Sequence, residues 1–342
     1  MSGQDATPAA AWSAAHIRER VRSLAPGLLL AITIAFASRF ISMRYGGPVM
    51  LYALLFGIAF NFLSEEARCA PGIRFASRTV LQIGVALLGA AITFGEAVAL
   101  GPMTLALVAA GVVVTICGGY FIGRMFRLSP DHAFLSAGAV AICGASAAMA
   151  IAAVLPKSEN SERNLVLTVV GVTTMSTAAM VLYPSLAQFL RLSDATAGVF
   201  LGATIHDVAQ VVGAGHMISD ETGAISAVVK LVRVAMLPGV VLFTAMAFRG
   251  NETKRTRLPA LPLFVAGFAA VMLFHSFHIF PAPVFSMLSD ISKWCLVIAV
   301  AAFGMRTSLK EIAAVGARPI AVLGLQTALL LGIVLAGLAV IS

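Results

Sequence analysis

Charge is what this sequence has least of. Asp, Glu, Lys and Arg together make up 11% of its 342 residues, against 60% hydrophobic ones, and the mean hydropathy is +0.97. That balance excludes a water-soluble globular enzyme. Cysteine is also sparse: Cys69, Cys117, Cys143 and Cys295 stand alone, with no CxxC spacing, which argues against a disulfide framework or a zinc site. No Walker-type phosphate loop is present, so ATP-driven transport within this chain is not expected. Neither an HExxH motif nor a nucleophile–base pair appears, which disfavours an intramembrane enzyme, and no cofactor is expected. His275 and His278 are three apart but have no carboxylate cluster near them in sequence, so they read as an interfacial pair rather than as metal ligands.

What is abundant is apolar sequence in separate runs. A window of ~19 residues finds about eleven of them, each close to the ~20 residues that cross ~30 Å of hydrocarbon. They are 26–43, 46–63, 78–99, 102–123, 133–155, 164–190, 195–218, 222–247, 260–280, 283–305 and 318–341. The chain therefore reads as an all-α polytopic membrane protein with its surface against lipid. Residues 1–25 form a tail carrying Arg18, Arg20 and Arg22, and 26–342 a single transmembrane domain. No small-residue cleavage pattern follows the first run, so it reads as a retained span and not a removed signal.

The formal charge of +8 reflects topology rather than nucleic-acid binding, because the 23 Lys and Arg residues gather in alternate loops. With the amino terminus in the cytoplasm, Arg68, Arg74, Arg124, Arg127, Arg191, the cluster 249–257, Arg306, Lys310 and Arg318 fall on the cytoplasmic side. Arg44, Lys157 and Arg163 fall outside. The positive-inside bias then predicts a carboxyl terminus on the external side.

An internal echo links the third and tenth runs. Val85–Ala97 and Val300–Ile312 share a small-residue apolar stretch with Gly89 or Gly304, then a polar exit and another helix. The two runs enter from opposite sides, as in inverted-repeat transporters, and suggest repeats near 46–190 and 195–342. Chance likeness between Gly-rich helices is the alternative.

Three clusters could carry chemistry. In the fifth run, Cys143, Gly144, Ala145 and Ser146 could interrupt the helix and start a half-helix whose positive end holds an anion; a small-residue packing face is the alternative. In the seventh, His206, Asp207 and Gln210 are polar groups at a depth where they are costly unless paired, with Asp207 and Gln210 on one helix face. A purely structural role for Asp207 stays open. In the eighth, Lys230 and Arg233 are three apart and deep, where an Arg suits an oxyanion; snorkelling to the interface is the alternative.

These same residues carry a resemblance. Leu87-Leu88-Gly89 with Ile92-Thr93, Ile142 to Ala147, Gly202 to Val212, Val229 to Arg233 with Met236-Leu237-Pro238, and Phe303-Gly304-Met305 resemble the YeiH-type bacterial membrane proteins (UPF0324), designated sulfate exporters. That family is grouped with sodium/proton antiporters and bile-acid-type symporters. The resemblance implies two inverted repeats, a panel and a core domain, two crossed broken helices, and an elevator-like or rocking motion. It also implies a secondary transporter of a small inorganic or sulfur-containing anion such as sulfate, sulfite or a sulfonate. Cys143, Gly144, Ala145, Ser146, Gln210, Lys230 and Arg233 would then bind substrate, with His206 and Asp207 coupling it to H⁺ or Na⁺. The fifth and seventh runs enter from the same side on this topology, so the fifth and tenth fit inversion better as the crossed pair. Besides lipid, a homodimer partner is expected and nucleic acid is not. A cation/proton antiporter using Asp207 is the competing function.

Overall fold

The computed structural model describes residues 14–156, 158–248, 263–307 and 317–341. Lys157, Lys310 and the basic cluster 249–257 lie outside them, as does most of the polar link in the second copy of the echo. Among the described residues every regular element is helical. Seven helices are long and apolar enough to cross a membrane, and two shorter ones, Val49–Ala59 and Leu263–Ser276, are equally apolar. Phe36, Phe40, Phe121, Phe189 and Phe243 point outward and are more than half exposed, as a surface bathed in lipid tolerates and water would not.

The first group of helices forms a frame. α1 (Ala14–Tyr45) runs against α2 (Val49–Ala59) and α3 (Ala70–Phe75), which a short π-helical turn joins to α4 (Leu81–Leu88). α14 (Leu263–Ser276) and α15 (Ala282–Arg306) complete it. Glycines let these backbones touch: a methyl on Gly57 would stand 2.3 Å from the Ala301 carbonyl, and one on Gly304 2.5 Å from that of Leu54. α4 and α15 are the two copies of the echo. They lie antiparallel, with Ser77 at Arg306 and Gly84 at Cys295.

The second group comprises α6 (Gly101–Met125), α7 (Pro130–Ala141), α8 (Ala145–Ala152), α9 (Ser161–Phe189), α10 (Asp194–Thr204), α11 (Val208–His216), α12 (Asp220–Ala235), α13 (Leu237–Ala247) and α16 (Ala317–Ile341). Before α6, the short α5 (Phe94–Ala99) is opened by a full capping box between Thr93 and Glu96. Ser129, Ser193 and Ser219 cap α7, α10 and α12 through their hydroxyls, each followed within two residues by an Asp that suits the positive helix end.

The fifth and seventh runs depart from expectation. Both are broken, but neither continues across. A methyl on Gly138 of α7 would meet Ile151 of α8 at 2.4 Å, so α8 folds back on α7. Likewise α10 lies parallel to α12, with Gly198 at Ile225 and Gly202 at Val229, whereas α11 returns antiparallel, with Val211 at Ser226 and Gly215 at Gly223. Each run is a re-entrant hairpin. The first opens toward the side where α1 begins, and the second toward the opposite side.

This corrects the sequence reading in three ways. Among the described residues seven helices are long enough to cross, with two shorter apolar helices beside them, and the fifth and seventh runs form hairpins in place of single spans. Arg163 moves to the side where α1 begins and Arg191 away from it, while the start of α1 and the end of α16 lie on opposite sides. The tenth run is one continuous helix, α15, so the broken elements that meet are the fifth and the seventh.

Candidate functional site

The tips of the two hairpins touch in the interior. Where α7 and α10 end, the carbonyls of Val140, Ala141 and Ile142 and of Gly202, Ala203 and Ile205 have no intrahelical partner, and in hydrocarbon such groups must be satisfied. Lys230 and Arg233 from α12 satisfy them. Lys230 Nζ donates to Ile142 O (2.6 Å) and Ile205 O (2.8 Å), one carbonyl from each hairpin. Arg233 donates through Nε to Ala141 O (3.1 Å), and through Nη2 to Val140 O (3.1 Å) and Ala141 O (2.7 Å). Its Nη1 faces Gly202 O (3.2 Å), Ala203 O (2.8 Å) and Ile205 O (3.2 Å). Two helix carboxyl ends, each carrying about half a negative charge, thus converge on two cations.

Lys230 is 0% and Arg233 1% exposed. Neither snorkels, and all three guanidinium nitrogens of Arg233 meet carbonyls, so the side chain clamps both tips. The spacing Lys-x-x-Arg marked the right residues, but it could not reveal that their partners are main-chain atoms.

His206 sits between the tips, fully buried. Its Nδ1 lies 3.1 Å from Val140 O, an atom that only accepts, so Nδ1 carries the proton. Nε2 lies 3.0 Å from Thr327 Oγ1 on α16 and accepts from that hydroxyl in the neutral ring.

The second halves begin on the opposite face of the same junction. α8 opens at Gly144, whose φ of +62° is a glycine conformation, and no side chain caps it. A methyl there would come within 3.6 Å of both His206 and Val172 of α9. α11 is capped by Asp207, whose Oδ1 accepts from Ala209 N (2.8 Å), while the Asp207 N–H donates to Ser176 Oγ (3.0 Å). Gln210 Nε2 donates to Thr177 Oγ1 at 2.8 Å, and its Oε1 is buried without a partner. Two positively polarised amino ends therefore face α9 between Val172 and Thr177. Of the residues expected here, Cys143 and Gly144 are buried, Ala145 and Asp207 half-buried, and Ser146 exposed.

Sequence reasoning missed Ser176, Thr177 and Thr327. Hydroxyls in apolar helices usually bond their own preceding turn, as Thr177 does with Thr173 O, so nothing in the sequence set these three apart.

A second feature lies toward the open end of the second hairpin. A cavity of about 790 Å³ separates frame from hairpins, with Ile92, His275 and Phe285 on one wall and Ala195, His216 and Ile225 on the other. Lys293 Nζ of α15 and Asp220 Oδ2 of α12 pair across it at 2.8 Å. His275 thus lines a cavity, and no group of three or more His, Cys, Asp or Glu able to hold a metal occurs among the described residues.

Comparison with known proteins shows that the chain resembles membrane proteins along most of its length. The family described as "Conserved hypothetical protein 698" matches residues 26–323. The UPF0324 membrane protein TauZ of Paracoccus denitrificans is 49% identical over 330 residues, covering 95% of this chain and 98% of that protein. The UPF0324 membrane protein CT0845 of Chlorobaculum tepidum is 47% identical over 317 residues, covering 91% and 88%. No solved structure matches.

Proposed function

Because the chain belongs to the UPF0324 family of membrane proteins, we propose that it is a secondary transporter that exports a small oxyanion in exchange with, or together with, an ion. Sulfate, sulfite or a sulfonate is the substrate class implied by its likeness to YeiH-type exporters. The observation that carries the reading is the meeting of two hairpins from opposite faces on buried Lys230 and Arg233. Interrupted backbone at membrane depth is tolerated where it lines a pathway, and half-helix amino ends are suited to anions.

The charge count favours an anion. Two cations exceed the roughly one negative charge of two helix carboxyl ends, and ionised Asp207 cancels about one more against the two helix amino ends. The junction keeps a surplus of about one positive charge by the same arithmetic. The substrate would sit between the amino ends of α8 and α11, facing Val172 to Thr177, with Lys230 and Arg233 acting through the tips. His206 and Asp207 would couple the flux. The basic bias of alternate loops supports a bacterial inner-membrane location with the amino terminus in the cytoplasm.

Purified protein in liposomes should take up labelled sulfite or sulfate, and a Ser176→Ala, Thr177→Ala pair on α9 should cut that flux at least tenfold while leaving the fold intact. The half-buried carboxylate of Asp207 is what favours the competing cation/proton antiporter. Na⁺-driven proton movement without any anion flux would establish that reading instead.

A further inference from the structure

We propose that Asp207 and Gln210 together take up the coupling proton, with Asp207 as its carrier and Gln210 as the residue that positions it. This rests on the transporter reading above and names its coupling ion. Asp207 is the cap of α11 and Gln210 the third residue inside it, the two positions whose side chains face each other in a capping box. At Thr93 and Glu96 the box is complete: the Thr93 N–H donates to Glu96 Oε2 at 2.7 Å, and the Glu96 N–H to Thr93 Oγ1 at 3.2 Å. At Asp207 it is half made. The N–H that Gln210 would accept has gone to Ser176 Oγ at 3.0 Å.

The orientation of the Gln210 amide follows from its neighbours. Thr177 gives its hydroxyl proton to Thr173 O at 2.9 Å, so its oxygen can only accept. The Gln210 atom 2.8 Å from it must then be the NH₂ group. This leaves Oε1 as a lone acceptor on a residue with 0% exposure. Such an orphan calls for a missing donor.

A protonated Asp207 supplies one. A proton from water adds to the carboxylate, and the new O–H donates to Gln210 Oε1; on release the proton returns to water and the carboxylate keeps its bond to Ala209. A metal cation fits less well. It wants a shell of several oxygens, and the nearby Ser176 and Thr177 oxygens already accept from N–H groups.

Each element packed on α11 brings a known set of charges. α12 contributes Lys230 and Arg233, with Asp220 and Glu221 at its far end; α15 ends at Arg306, with Asp290 and Lys293 in its first half; and the first hairpin brings Cys143. His206 precedes it, α9 offers only hydroxyls here, Asp194 lies at the far end of α10, and α2 has no acidic or basic residue. Neutralising Asp207 releases the two buried cations from one counter-charge, so proton and anion occupy the junction together. A divalent oxyanion carrying one proton still moves net negative charge outward, which an inside-negative membrane potential favours.

Infrared difference spectroscopy on the full-length protein in vesicles tests the pair without needing transport. On acidification, the wild type should gain a carboxylic C=O band that Asp207→Asn lacks. Gln210→Leu should move the band to higher frequency, because the acid loses its acceptor. Should Gln210→Leu fail to accumulate, Thr177→Val frees the amide and should shift the same band. No Asp207 band at any pH at which the protein stays folded, a band unmoved in these variants, or one that responds to sodium rather than acid would each overturn the proposal. In the same vesicles sulfite flux should carry protons that Asp207→Asn no longer moves. Absence of all anion flux would defeat the transporter reading while leaving the band to judge the pair.

Discussion

At the scale of single residues, Lys230 and Arg233 each join carbonyls of both hairpin tips. Buried cations are tolerated when every donor is met, and here the acceptors are helix ends whose partial charge suits them. Lys230→Met leaves the Ile142 carbonyl without its Lys230 donor, at about 1–3 kcal/mol for a buried unsatisfied group, while the Ile205 carbonyl keeps Arg233 Nη1 at 3.2 Å. Its thermal unfolding temperature in detergent should fall well below wild type. Arg233→Leu should cost more, about 3–5 kcal/mol or failure to accumulate, because it uncovers carbonyls of both hairpins. Arg233→Lys should sit between wild type and Arg233→Leu, since a single ammonium cannot span five carbonyls. A Lys230→Met protein that is as stable as wild type but transport-dead would return both residues to the role of anion ligands.

At the scale of elements, the hairpins depend on backbone geometry that few residues can adopt. Gly144 has φ +62° and ψ −123°, and an added methyl would find no atom nearer than 3.6 Å. The cost of Gly144→Ala is therefore conformational, about 1–3 kcal/mol, and not steric. Gly202→Ala is the opposite case: its methyl would meet the Ser226 carbonyl at 2.5 Å and push α10 off α12. Chemical unfolding should show Gly202→Ala as the more damaging of the two. The interruption at Cys143–Gly144 was legible because glycine stands there, and His206-Asp207 because polar groups interrupt an apolar run. The folding-back was not. α7 and α8 hold 12 and 8 residues, and end to end they look like one span to any hydropathy window. What separates a hairpin from a broken rod is the contact of Gly138 with Ile151, which depends on three dimensions alone. The second tip turns at Ile205 with no glycine, so Asp207, a helix-capping residue type, is what marks it in the sequence. The eleven-run pattern located the helices, but it could not distinguish a rod from a hairpin in the fifth and seventh runs.

At the scale of the whole molecule, the helices divide into a frame, α1 to α4 with α14 and α15, and a hairpin body built on α6 to α13 and α16. Their main packed connection is α11 against α15 and α2, and α11 is the arm that starts at Asp207. Beside it the 790 Å³ cavity opens between the two groups, bridged by Asp220 and Lys293. An ion pair with one carboxylate 70% exposed contributes at most about 1 kcal/mol, too little to lock a fold but enough to bias two arrangements of similar energy. If the hairpin body moves against the frame during transport, this bridge must break. We expect that Asp220→Cys with Lys293→Cys, in a background lacking the four native cysteines, will lose transport when joined by a bifunctional thiol reagent with a cleavable linker and regain it on cleavage. A control pair placed within the frame, Gly84→Cys with native Cys295 restored, should tolerate the same reagent, because those residues do not part. Full transport by the joined Asp220–Lys293 protein would mean that access alternates without separation of the two groups at this cavity, and would confine the motion to the hairpin tips.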